Sequence, residues 1–134
     1  MKKMIALLTV FLMLTACSND DNATSEEPIV GSWVLVDWNI PNIPGSDFAE
    51  EPTNCNLNSK ITFEADNTAT SEFYNDEGEN CEVEAQSGDW ESHGDGEYSI
   101  QVPGIGNQRG NLNFESNNRF TFTLAIGSMT FERA

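Results

Sequence analysis

Basic residues are scarce in this chain: six Lys and Arg stand against 22 Asp and Glu among 134 residues, a formal net charge of −16. That shortage excludes nucleic acid as a partner, because a phosphate backbone requires a basic footprint. Histidine is scarcer still. His93 is the only one, set beside Gly94 in an expected tight turn and away from any credible nucleophile. A His-based triad and a His- or Cys-ligated zinc site are therefore set aside. Residues 75–80 (NDEGEN) lack the alternating acids and distal Glu of a calcium loop and read as a solvated turn. No spacing among the acids singles out a catalytic pair. The chain is expected to be no enzyme and to carry no metal or cofactor. No apolar stretch reaches the roughly 20 residues that a helix needs to cross a hydrocarbon core. Nor does any window carry a 3.6-residue apolar stripe, so helices are not expected in the folded part.

What is present begins with Lys2-Lys3, an apolar run over 4–14 and the tetrapeptide Leu14-Thr15-Ala16-Cys17. A positive region, an apolar region and small residues before a break are the layout of a secretory signal. The Leu-Thr-Ala-Cys ending resembles the lipobox of bacterial lipoproteins. That resemblance implies cleavage before Cys17, acylation of its thiol, and a membrane partner engaged through acyl chains. Residues 1–16 are then a signal peptide, and 17–29 a lipidated N-terminus and acidic tether. Its SNDDNATSEEP stretch has no large apolar residue and is expected to be disordered. Ser18 after the cysteine, and the acids that follow, fit passage to an outer membrane and exposure at the cell surface. Removing Lys2 and Lys3 leaves only Lys60, Arg109, Arg119 and Arg133 against the acids. So acidic a body suits solubility in a crowded envelope, or attraction to a basic partner protein.

If Cys17 takes lipid, Cys55 and Cys81 remain in an oxidising compartment and are expected to pair, two free thiols being the alternative. They lie 26 positions apart. The chain-entropy estimate for such a loop is roughly 3–4 kcal/mol.

From residue 30 to 134 the pattern is β throughout. Eight runs alternate at period two: 31–40, 59–64, 68–75, 82–91, 97–103, 108–115, 119–126 and 128–133. Turn residues such as Asp66-Asn67, Gly94-Asp95-Gly96, Asn117-Asn118 and Gly127 separate them. Short connections favour sequential neighbours, hence an all-β, eight-stranded antiparallel up-and-down barrel. In the fourth run Val83 and Ala85 share one parity and Trp90 has the other. A bulge at Gly88 is expected to restore the register and turn Trp90 inward.

Gly31-Ser32-Trp33 in the first strand and Phe131-Glu132-Arg133 in the last resemble the Gly-x-Trp and closing arginine of lipocalins. Ile61-Thr62-Phe63 before Asp66-Asn67-Thr68, and Ser87-Gly88-Asp89-Trp90, are similar to motifs of bacterial lipocalin-like lipoproteins. The paired cysteines fit the same group. The Thr-Asp-Tyr motif of larger lipocalins is absent. The resemblance implies a barrel closed at one end by Gly31, Trp33 and Arg133, with the guanidinium stacked on the indole. Cys55 and Cys81 then belong to the open mouth, in loops arching over the third strand. There Ile43, Phe48 and Tyr74 are candidates for contact with a small apolar ligand. Short strands rich in inward aromatics leave little space deep in the barrel. Function is expected at the mouth, as binding of a small apolar ligand or, alternatively, of a basic protein through the acidic loops.

Overall fold

The structure is a computed structural model that describes residues 27–41, 51–76 and 79–134. Cys17, Ile43 and Phe48 lie outside the described residues.

Alternating apolar positions pull one face of most segments inward, and nine strands result among the described residues. They are β1 (Gly31–Asn39), β2 (Lys60–Phe63), β3 (Thr68–Asn75), β4 (Glu82–Asp89), β5 (Glu91–Gly94), β6 (Glu97–Val102), β7 (Gly106–Ser116), β8 (Arg119–Leu124) and β9 (Gly127–Arg133). A 3-10 turn, Asn56–Asn58, precedes β2. All pairings are antiparallel, in the order β4-β3-β2-β1-β9-β8-β7-β6-β5. The first and last strands meet with Trp33 opposite Arg133.

The ninth strand comes from splitting the fourth expected run at Trp90. Up to Asp89 the segment pairs with β3, and from Glu91 it pairs with β6. The two ends of the sheet are thus one continuous piece of chain, and the antiparallel barrel is nearly closed. Before Trp90 the seam left beside β4 is bridged by side chains of β6 and β7. Asn107 Nδ2 reaches the carbonyl of Asp89 at 3.4 Å, and a Cβ on Gly88 would overlap the carboxamide of Gln101.

The expected bulge at Gly88 is absent. The β3–β4 ladder runs unbroken from Thr68 opposite Asp89 to Asn75 opposite Glu82. Trp90 nevertheless points inward and is buried, because it shares parity with Gly88, Gln86 and Glu84, the partners of buried Ala69, Ser71 and Phe73. The face assigned to Val83 and Ala85 was the wrong one: both point outward, and Val83 is 53% exposed. Register shifts fall elsewhere, in β5 between Ser92 and Gly94, in β7 between Phe114 and Ser116, and in β1 between Leu35 and Asp37. The irregularity in β1 lets Trp33 and Leu35, then Trp38 and Ile40, all face the core. Full burial of each such side chain contributes roughly 1.5–3 kcal/mol.

Candidate functional site

The end of the barrel where β1 begins is filled. Trp33 is fully buried, its ring packs edge-on against Phe120 at 4.6 Å, and its Nε1 donates to the carbonyl of Ile29 at 2.7 Å. Arg133 lies across the outside of this indole, its Cζ 4.3 Å from the ring centroid. The guanidinium donates to the carbonyls of Asn117 (2.9 Å), Val30 (3.1 Å) and Pro28 (2.9 Å), so it straps the incoming chain across the floor. Gly31, at φ +128°, leaves the space that Nη1 of Arg133 needs. Beside them Trp90 meets Phe63 edge-on and Tyr98 at a tilt, and donates through Nε1 to the carbonyl of Glu64 at 2.8 Å. The Tyr98 hydroxyl donates to Glu27 Oε2 at 3.1 Å. Burial, and next the charge of Glu27, raise the Tyr98 pKa above the ordinary phenol value. This half is structural: every polar group named there has a partner.

A polar groove of about 620 Å³ skirts the floor between Ser116 and Ala134. It holds two of the few cations, but both are committed. Arg119 pairs with Glu115 at 2.9 Å and Glu132 at 2.7 Å, and Arg133 is the strap. An anion would find no free charge there.

At the opposite end, Cys55 and Cys81 form a disulfide with Cα atoms 5.4 Å apart. The turn after Cys55 crosses the end of β3. Asn56 Nδ2 donates to the Tyr74 carbonyl at 2.9 Å, and the Tyr74 amide donates to Ser59 Oγ at 3.0 Å. Tyr74 itself does not line the interior. It pairs with exposed Val83 and alternates with inward Phe73, so its ring belongs to the outer face. The apolar inner surface toward the mouth comes from Trp38, Ile40, Val102, Leu124 and Met129, all buried. Sequence reading passed over Trp38 because the irregularity in β1 hides its parity; the run of alternating large residues after Arg119 already pointed to Leu124. Along the rim, Asn39, Pro41 and the β8–β9 hairpin outline a shallow groove of about 450 Å³ that includes half-exposed Ile126.

His93 falls in β5 rather than in a turn, and its Nε2 is 2.8 Å from Ser99 Oγ. The pair is exposed on the outer wall. Among the described residues no His, Cys, Asp or Glu cluster suits a metal, and no helix is long and apolar enough to cross a membrane.

One end is therefore sealed by aromatics and an arginine strap, and the other carries the disulfide and an apolar rim. No curated protein and no solved structure is a significant match to the chain. Residues 29–131 match the family described as Lipocalin-like domain, and the chain belongs to that family.

Proposed function

We propose that this protein is a lipid-anchored envelope lipoprotein whose barrel binds a small apolar ligand at its open end. The observation that carries the binding reading is the asymmetry of the barrel. Its floor is packed and strapped, whereas at the other end Pro41, Leu124 and Ile126 help line a rim groove of about 450 Å³ above a buried apolar core. Sites for small molecules are concave, largely apolar and of this order of size. The membrane anchor is Cys17, supported by the signal-like segment before it. Two or three acyl chains hold a protein stably where one does not. Residues 28–30 are fastened at the floor, so an anchor upstream of them leaves the mouth facing away from the bilayer. The favoured location is the outer membrane, with the barrel at the cell surface.

Two measurements test this. The full chain, expressed in a bacterial envelope with a clickable palmitate analogue, should label, and Cys17→Ser should not. Native mass spectrometry of the extracted protein should show a small bound species that an apolar fluorescent probe, N-phenyl-1-naphthylamine, displaces. An unlabelled wild-type chain overturns the anchor. Absence of both a bound species and probe binding overturns the ligand reading.

A further inference from the structure

The floor groove and the rim groove differ in kind. The floor groove is edged by Arg119, Glu132 and Arg133. None of the eight residues that line the rim groove carries a charge, in a chain whose formal net charge is −16. The carboxylate of Asp37, two positions before Asn39, is turned back onto the Trp38 amide at 2.9 Å.

The lining of the rim groove has two sides. Asn39 stands between buried Trp38 and Ile40, Thr123 between buried Phe122 and Leu124, and Ser128 precedes buried Met129. Alternation therefore turns all three to the outer side of the wall. The register sets Asn39 opposite Ser128, and Ser128 opposite Thr123. A carboxamide and two hydroxyls thus form a row across β1, β9 and β8, with neighbouring Cβ atoms roughly 4.5–5.5 Å apart. Two residues along the same strands, Thr121 and Thr130 satisfy each other at 3.1 Å. The side chains of Asn39, Thr123 and Ser128 have no such partner among the described residues. Beside the row, Pro41, Ala125 and exposed Ile126 supply an apolar edge. Gly127 holds the two sides together. At φ +148°, a Cβ there would overlap the Asn39 carbonyl, so glycine lets the β8–β9 hairpin close on the end of β1.

We propose that the rim groove takes a nonionic amphiphile. Its uncharged polyol head, glycerol- or sugar-like, lies on the row of Asn39, Ser128 and Thr123, and its apolar chain lies against Pro41 and Ile126. Hydroxyls a few ångströms apart can both donate to and accept from a row so spaced. A carboxylate head would meet no counter-charge. Lys60 is paired with Glu72, Arg109 with Glu97, and Arg119 and Arg133 are held at the floor. An ammonium head would find no carboxylate in the lining. This head-group assignment rests on the ligand-binding reading above. The competing explanation is that the row is ordinary solvated surface, and the test separates the two.

The full-length protein is loaded with N-phenyl-1-naphthylamine at physiological salt, where distant charges are screened. The probe is then displaced by 1-monodecanoylglycerol, decanol, decanoate and decylamine in turn, each below its micelle concentration. The glycerol ester should displace about five- to tenfold more effectively than decanol, as one or two added hydrogen bonds provide. Neither decanoate nor decylamine should exceed decanol. Ser128→Ala and Thr123→Val should each reduce the advantage of the ester, whereas Thr123→Ser, which keeps the hydroxyl, should retain it. Both positions face outward, so the melting temperature of the parent should persist. Thr70→Val, on the exposed face of β3 and outside the groove, should leave the order intact. If the ester gains nothing over decanol, or its gain survives both Ser128→Ala and Thr123→Val, the head-group assignment is wrong while ligand binding stands. A lead by decanoate or decylamine, or an equal loss in Thr70→Val, overturns it as well. If none of the four displaces the probe, the ligand reading fails and takes this one with it.

Discussion

Gly31 and Arg133 share one volume: a Cβ on Gly31 would stand 2.7 Å from Nη1 of Arg133. At φ +128° the glycine also holds a backbone conformation that side chains resist. Gly31→Ala should therefore suffer twice, through strain and through displacement of the strap. The expected cost is roughly 1–3 kcal/mol, or about 5–15 °C in melting temperature for a domain of this size. An unchanged melting temperature would show that the arginine can relocate at no cost.

Arg133→Lys tests the strap itself. A lysine keeps the charge but cannot serve the carbonyls of Asn117, Val30 and Pro28 while lying flat on Trp33. The loss should be about 1–2 kcal/mol, nearly that of Arg133→Met. Proteolysis should then cut sooner near residues 28–30. Full retention of stability by the lysine would mean that charge alone suffices.

Reduction of Cys55–Cys81 should lower stability by roughly 3 kcal/mol, as the freed loop regains chain entropy. The double variant Cys55→Ser/Cys81→Ser should match the reduced wild type in denaturant titration. A reduced protein of unaltered midpoint would place the stabilisation elsewhere, in the hydrogen bonds of Asn56 and Ser59 to β3.

Tyr98 supplies an alkaline limit. Its folded pKa lies above the reference value of 10.0 because burial, and then Glu27, disfavour the phenolate. The stabilisation tied to the neutral phenol is full below the unfolded pKa and is lost as pH rises through the folded one. The chain should thus lose stability above about pH 10. Tyr98→Phe should flatten that decline, which chemical denaturation across the alkaline range reads directly. Equal slopes for parent and variant would sink the idea.

The barrel was readable because alternation survives wherever aromatics and aliphatics recur every second residue, as in Phe120, Phe122 and Leu124. The meeting of Trp33 and Arg133 was implied by the resemblance to lipocalins, and the register of β1 with β9 bears it out. Legibility failed where both parities look alike. In β1, Val34, Leu35 and Val36 are all apolar, so nothing in the sequence announces the irregularity that turns Trp38 inward. In β4 the few apolar residues misled, since the inner row is Glu84, Gln86 and Gly88. The exchange of partners at Trp90 was hidden because one uninterrupted alternating run serves two neighbours. Of the expected mouth residues, Tyr74 proved to be on the outer wall, displaced by Phe73 one position earlier.

The strap has a temporal meaning as well. Arg133 grips carbonyls 103 and 105 positions earlier in the chain, and β1 cannot find its second neighbour until β9 exists. Closing so long a loop is slow, and nothing local rewards it before the ends meet. A partly synthesised chain therefore has a half-finished sheet with an open side, and its native state arrives late. On the export route proposed above that delay is an asset, because β9, which locks the floor, follows the other described strands through the membrane.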